Sequence, residues 1–456
     1  MRINNRTGRE NVKRGFKFAF YSVIVHFYFF CLLGIIVKLG GSWLRIEGFS
    51  LDGYFRIICL PLLLFYAFNN RKNPDLTRGA KTILIVVFLF LFLIFAQIFL
   101  IPEEFVKQHY TSSLKYIFFF LALVCLVRGM SNTGFIEYKV LNNVLILIFF
   151  SVLIGLIYNI IHIGGFNQFE GTLLNLGSNV SSFRSGFLML SGNEDANGMI
   201  TLLPIVIFTI RRKTPLVFFT FVISAIFLLS NGTRTAQVIF ILITFSFFLV
   251  TLKERPLVSS FIIILLLLTA SNATSYFRTL FAKEAIFNKP IAEILAGTDK
   301  SAIGLEGNAM RRIHQIWLPV IYKTWEQSPL IGLGTGAHLL MEEEFVVTST
   351  GPVKIGASFH NTYIYMFALG GLVGLYLYLH LIATLFFTSL KLLKVKHKEI
   401  RFKAIALIFC TGGYVIWSFI SNSNTLFGWT IFILLLTLSV SIEKCATFIT
   451  QTYRGL

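Results

Sequence analysis

Continuous apolar runs recur along the whole chain, separated by polar or basic turns. A helix needs about 20 apolar residues to cross the hydrocarbon core of a bilayer. The pattern predicts helices over 16–37, 50–68, 82–101, 113–128, 140–162, 197–210, 215–231, 235–252, 257–271, 360–387, 403–420 and 425–442, about twelve in all. The fold class this implies is all-α, a polytopic membrane helix bundle. Two connections break the rhythm, one of some 34 residues over 163–196 and one of about 88 over 272–359. Connections beyond about 15 residues are usually functional or disordered. The organisation that follows is a block of nine spanning helices in 1–271 with a loop near 163–196, a large loop over 272–359, and three further helices with a tail in 360–456.

The larger loop has its own pattern. Within AMRRIHQIWLPVIYKTWEQ (309–327), Ile313, Ile316, Trp317, Val320, Ile321 and Trp325 recur at helical spacing, which predicts an amphipathic helix lying along the bundle or at the membrane surface. The following SPLIGLGTGAH carries Gly332, Gly334 and Gly336 at alternate positions and reads as a tight backbone turn. Gly370, Gly371 and Gly374, in the next apolar run, would let another helix approach closely. No internal repeat is evident at short or half-chain period.

Composition agrees with the pattern. Of 456 residues, 55% are apolar, 50 are Phe and only 13% are charged, against roughly 25% charged in an ordinary soluble domain. A soluble enzyme, a disordered chain and a disulfide scaffold are thereby excluded. A formal charge of +19 would suggest nucleic acid, but the predicted topology removes that reading. The N-terminal segment, every second connection and the C-terminal segment together hold 25 basic and 6 acidic residues; the remaining 15 basic and 15 acidic residues cancel. Basic excess on one face marks the cytoplasmic side and contacts membrane lipids. Both termini are expected there, and the two long loops on the opposite face. The first apolar run is too long for a signal-peptide core and is expected to be retained. Cys31, Cys59, Cys125, Cys410 and Cys445 all fall in helices or on the basic side, so no disulfide and no cysteine-held metal is expected.

Cations are scarce on the opposite face, which makes each one a candidate. Arg234 lies in SNGTRTAQ, a turn of a few residues between two apolar helices, so its guanidinium stays at the membrane rim or dips into the bundle. An arginine in hydrocarbon costs about 2.5–3.5 kcal/mol on insertion scales and is a functional candidate by default; the bland alternative is a snorkelling anchor. Arg184 precedes a spanning helix in SSFRSGFLMLSGNEDANGMI, followed by Asn193, Glu194, Asp195 and Asn197; the acidic pair suits a helix N-terminus. Arg311 and Arg312 open the loop helix. Arginine holds a diphosphate through a planar fork that never loses its charge, but adjacent residues diverge by about 100°, so one of the two reaches a given site. His360, where the long loop meets a spanning helix, can act as a base near neutral pH, and Asn361 beside it can orient a sugar hydroxyl. Glu342, Glu343 and Glu344 read as a solvated run. There is no GK-ending phosphate loop, no HExxH and no carboxylate pair of the glycosidase kind.

Four segments, in order, resemble the O-antigen ligase and polysaccharide polymerase superfamily, the WaaL/Wzy-type integral membrane glycosyltransferases. FRSGFLMLSGNEDANGM resembles its arginine, glycine and asparagine motif, at Arg184, Gly186 and Asn197. SNGTRTA resembles its short-loop arginine motif, at Arg234. MRRIHQIW with SPLIGLGTG resembles its long-loop motif, at Arg311 or Arg312, Trp317, Pro329, Gly332 and Gly334. HNTYIYMFALGGLVGL resembles its histidine-asparagine motif, at His360 and Asn361. Arg312 precedes Trp317 by five residues and Arg311 by six, where the family usually has about four, so the correspondence stays open between them.

The resemblance implies inverting, metal-independent transfer of a sugar chain from an undecaprenyl-diphosphate-linked glycan, on the extracytoplasmic (periplasmic) side of a bacterial cytoplasmic (inner) membrane. No cofactor or metal is expected. His360 and Arg234 are the expected catalytic residues. Arg184, Arg311, Arg312, Asn197 and Asn361 are the expected diphosphate- and sugar-binding ones. A polymerase, which passes the growing chain to another lipid-linked repeat unit, is favoured over a ligase that passes it to lipid A–core, and over transfer to protein, because arginines occur in both long loops. A chain-length regulator and a flippase are expected partners only through the resemblance. A transporter of the same lipid-linked sugars is the alternative from another class.

Overall fold

Hydrophobic burial inside a bilayer leaves each backbone to satisfy its own hydrogen bonds, and the chain answers with helices. The computed structural model describes residues 76–133, 192–210, 214–231, 234–251, 317–337, 345–348, 351–354, 361–420 and 426–454, with 45–46, 49–50, 61, 64 and 359. Nine α-helices are described: α1 (Arg78–Leu100), α2 (Glu103–Thr133), α3 (Gly192–Ile210), α4 (Thr214–Asn231), α5 (Arg234–Thr251), α6 (Leu318–Gln327), α7 (Thr362–Leu392), α8 (Lys398–Ile420) and α9 (Leu426–Arg454). Two small antiparallel hairpins accompany them, β1 (Arg45–Ile46) with β2 (Phe49–Ser50), and β3 (Phe345–Thr348) with β4 (Gly351–Lys354). Five helices among the described residues are long and apolar enough to cross a membrane: α1, α7 and α8, with Ser112–Gly129 of α2 and Gly428–Gln451 of α9. This is a multi-pass helical bundle. The expected helices at 16–37, 50–68, 140–162 and 257–271 lie outside the described residues, apart from single positions.

The bundle packs around α7, α8 and α9. α3 lies along α8, α7 contacts α1, α8 and α9, and α9 runs beside α2. Its centre is aromatic. Trp429 stacks on Phe119 at 6.0 Å between centroids and meets Phe120, Tyr116, Tyr378 and Phe432 edge-on, while Tyr414 and Phe432 stack at 4.9 Å. Such rings combine large buried area with preferred mutual geometry. The outward face of α1 carries Phe88, Phe92, Phe95 and Phe99, each more than half exposed, as a lipid-facing helix requires. At the opposite end of α1, the Glu443 carboxylate of α9 accepts the Gly79 N–H at 3.2 Å beside the Thr77 cap. A carboxylate at a helix N-terminus is favourable to the dipole and satisfies an orphan donor.

Three elements differ from the expected pattern. α2 begins at Glu103, ten residues before the apolar run, because Glu103 and Glu104 suit its positive end and because protein covers His109 and Ser113. α9 continues twelve residues past its expected end. α7 is interrupted at Gly371, whose φ of 62° and ψ of −156° are not helical. A loop meets Gly371, through Leu330 and Gly332, whereas Leu93 of helix α1 faces Gly370 and Gly374, as the small residues allow.

Candidate functional site

The segment 328–337 enters the break in α7 and repairs it. Gly332 and Gly334 have φ of 74° and 93°, a region that residues with a Cβ rarely adopt. The expected tight turn is therefore present. Leu333 N–H donates to Ala368 O at 2.8 Å and Gly334 N–H to Leu369 O at 3.1 Å. In return Leu372 N–H donates to Pro329 O at 2.9 Å and Val373 N–H to Leu330 O at 3.0 Å. Gln97 of α1 adds its amide Nε2, which donates to Ile331 O at 2.5 Å and Leu369 O at 2.6 Å. The Ala368 and Leu369 carbonyls and the Leu372 and Val373 N–H groups at the break are thus paired with loop backbone, and Leu369 O also with Gln97. A Cβ on Gly332 would overlap the backbone of Gly371, and one on Gly371 that of Leu330.

A second surface of the loop rests on α2. Thr335 N–H donates to His109 Nδ1 at 3.1 Å, so the ring proton sits on Nε2 and points at Ile94 O, 2.9 Å away. Ser113 Oγ lies 3.0 Å from Thr335 Oγ1 and donates to His109 O at 2.6 Å. Burial pushes the His109 pKa below its ordinary value, against a smaller upward pull from the Ile94 carbonyl. The ring is therefore a neutral connector.

The same loop links α6 to the start of α7. Val320 and Thr324 form the buried face of α6, whereas Trp325, expected in its apolar face, is 58% exposed. The indole N–H of Trp317, at the head of α6, donates to Phe359 O at 2.6 Å, and Phe359 is buried. Asn361 caps α7, its Oδ1 accepting from Tyr363 N–H at 2.9 Å and Ile364 N–H at 3.2 Å. Both residues flanking His360 in the chain are held. Trp317→Phe keeps the packing and removes the bond. We expect a stability loss of about 0.5–1.5 kcal/mol, which thermal unfolding of the variant beside the wild type checks.

Asn197 lies on α3 and is fully buried. Among the described residues neither its Oδ1 nor its Nδ2 has a hydrogen-bond partner, and Thr201 Oγ1, one turn on, has none either. Thr201 faces Gly413 of α8. Leaving a buried polar group unsatisfied costs about 1–3 kcal/mol, so such an amide is kept where something else completes it. Glu194 and Asp195 fall in the first turn of α3, and Arg234 is the first residue of α5. Arg184, Arg311, Arg312 and His360 lie outside the described residues. Gln97, His109, Ser113 and Thr335 were not foreseen. A lone Gln in the apolar run of α1 is the signal that marked the first of them.

No curated protein matches the chain. A family model does: residues 219–379 match Wzy_C, described as O-Antigen ligase. That range takes in α5, α6, the 328–337 loop and the first half of α7, and it supports the resemblance over three of the four motif segments, FRSGFLMLSGNEDANGM lying before it.

Proposed function

From the match of residues 219–379 to an O-antigen ligase family model, we propose that the chain is a membrane glycosyltransferase that polymerises lipid-diphosphate-linked oligosaccharide repeat units into a surface polysaccharide. The acceptor hydroxyl attacks the anomeric carbon of the donor from the face opposite the diphosphate. The carbon–oxygen bond to the lipid diphosphate breaks, its electron pair stays on the leaving oxygen, and the configuration inverts. His360 takes the hydroxyl proton as general base. The leaving diphosphate is already a stable anion and needs charge stabilisation rather than a protonating acid. Arg234 and one of Arg311 and Arg312 supply it, with Arg184 contributing from the first long loop. Asn197 and Asn361 address the sugars; the Oδ1 of Asn361 is occupied by the cap, which leaves its Nδ2 for that task. The site faces the extracytoplasmic side, the donor is an undecaprenyl-type lipid diphosphate, and no metal takes part.

The observation that carries this reading is the pinned junction around His360, with Trp317 on one side and the Asn361 cap on the other. A general base must sit within hydrogen-bond reach of one hydroxyl, and a fixed junction meets that requirement. The amide of Asn197, without a hydrogen-bond partner among the described residues, supports a polar ligand at this site. A strain lacking the protein tests the polymerase assignment. Loss of a polymerase leaves lipid A–core bearing a single repeat unit. Naked core with lipid-linked polymer accumulating would instead assign the ligase activity, and an unchanged ladder would sink both.

A further inference from the structure

Three segments meet at one imidazole. His109 lies on α2, receives the Thr335 N–H of the glycine loop on Nδ1, and points Nε2 at Ile94 O of α1. The Thr335 and Ser113 hydroxyls complete the set, and a Cβ on Gly334 would come within 2.9 Å of Nδ1. The loop so held carries α6 and Trp317 on one side and closes the break in α7 on the other. Gln97 fastens the same loop from α1. We infer that His109 is a positioning residue for sugar transfer: through Thr335 it fixes the loop that sets α6 against the start of α7, and so fixes both neighbours of His360. This rests on the function proposed above.

The imidazole suits the task because it has two opposed atoms in one rigid plane, an acceptor for the loop and a donor for α1. A neutral ring is required. Protonation puts a hydrogen on Nδ1, where it opposes the Thr335 N–H. The groups facing the ring are Ser113, Thr335, the Ile94 carbonyl, Gly334 and the Tyr110 ring, 6.5 Å away between centroids. Of the titratable residues on the surrounding elements, Glu103, Glu104 and Lys107 of α2 and Glu326 of α6 are exposed, and Lys323 lies over the Phe105 ring. The folded protein thus binds the His109 proton less readily than the unfolded chain. Stability is full above the ordinary histidine pKa of 6.5 and falls as pH drops below it.

The test uses the full chain in lipid nanodiscs, with a synthetic lipid-diphosphate-linked repeat unit as substrate and thermal unfolding followed across pH. His109→Leu removes both bonds and is expected to lower kcat at least tenfold with donor KM little changed. His109→Asn, whose side-chain amide occupies the position of Nδ1, is expected to recover most of kcat. It is also expected to flatten the fall in unfolding temperature below pH 6.5. Should His109→Leu fail to insert, Gln97→Met loosens the same loop from α1 and is expected to lower kcat in the same way. Wild-type kcat in His109→Leu, or in Gln97→Met where that variant stands in, overturns the inference, as does equal loss in His109→Leu and His109→Asn. His360→Ala is run beside them. If it is inactive while His109→Leu is fully active, only the positioning role fails; if it is active, the proposed chemistry fails.

Discussion

His360→Ala is expected to abolish polymer formation while leaving the protein inserted and folded. Removing a general base costs about 10²–10⁴ in rate, enough to turn a polysaccharide ladder into a single unextended unit. The folded state should tolerate the change, because the flanking contacts use Trp317, the Phe359 carbonyl and Asn361 rather than the histidine. Arg234→Ala is expected to lose about 10²–10³, the usual cost of removing one group that stabilises developing charge, and Arg234→Lys to recover part of it, since an ammonium supplies charge without the bidentate fork. Complementation of a deletion strain, with protein levels measured in the membrane fraction, checks the series.

Gly332→Ala is expected to have the largest effect on folding. The position has φ of 74°, and the added methyl would enter the backbone of Gly371 and Gly370. Left-handed backbone costs a residue with a Cβ roughly 1–2 kcal/mol, and overpacking adds about 1–3 kcal/mol. A total of about 2–5 kcal/mol is a large share of a typical domain's stability. Expelling the loop would also leave the Ala368 carbonyl and the Leu372 and Val373 N–H groups without their loop partners within a spanning helix, where no water reaches them, and Leu369 O with Gln97 alone. Gly412→Ala is the control: among the described residues nothing lies near its Cβ, and little change is expected. Detergent-resistant folding and thermal unfolding of the two variants separate the outcomes.

The apolar runs made most of the described helices legible, because a bilayer imposes one length on every crossing. α1, α3, α4, α5 and α8 begin and end within a few residues of the expected bounds. The misses share a cause. The first turns of α2 are polar, EEFVKQHYTS, and read as loop; they are helical because another part of the chain, residues 334–336, covers them. The break in α7 was invisible because Gly370 and Gly371 fit a helix–helix contact equally well, and only the approach of residues 331–334 decides between the two. Asn361 and Asn197, single polar residues beside apolar runs, stand out in the sequence and are buried in the structure, whereas His360 lies outside the described residues. His109 and Thr335 do not stand out, since each is ordinary alone and acquires a role only by meeting the other across 226 residues.

A broken spanning helix is also a feature of transporters, where the break lines a cavity and binds the cargo. Here the break is filled by Leu333, Gly334 and Gln97, which satisfy its carbonyls. Its backbone is spent on holding the loop, and this favours an enzyme with a fixed site over a carrier with an alternating one.

The central claim is most directly tested with the purified protein in nanodiscs and one lipid-diphosphate-linked repeat unit serving as both donor and acceptor. Polymerase chemistry predicts products of two, three and more units, release of free lipid diphosphate in equal number to the bonds formed, inverted configuration at each new linkage, and an unchanged rate in EDTA. Movement of the intact substrate between leaflets, with no new glycosidic bond and no released lipid diphosphate, would contradict it.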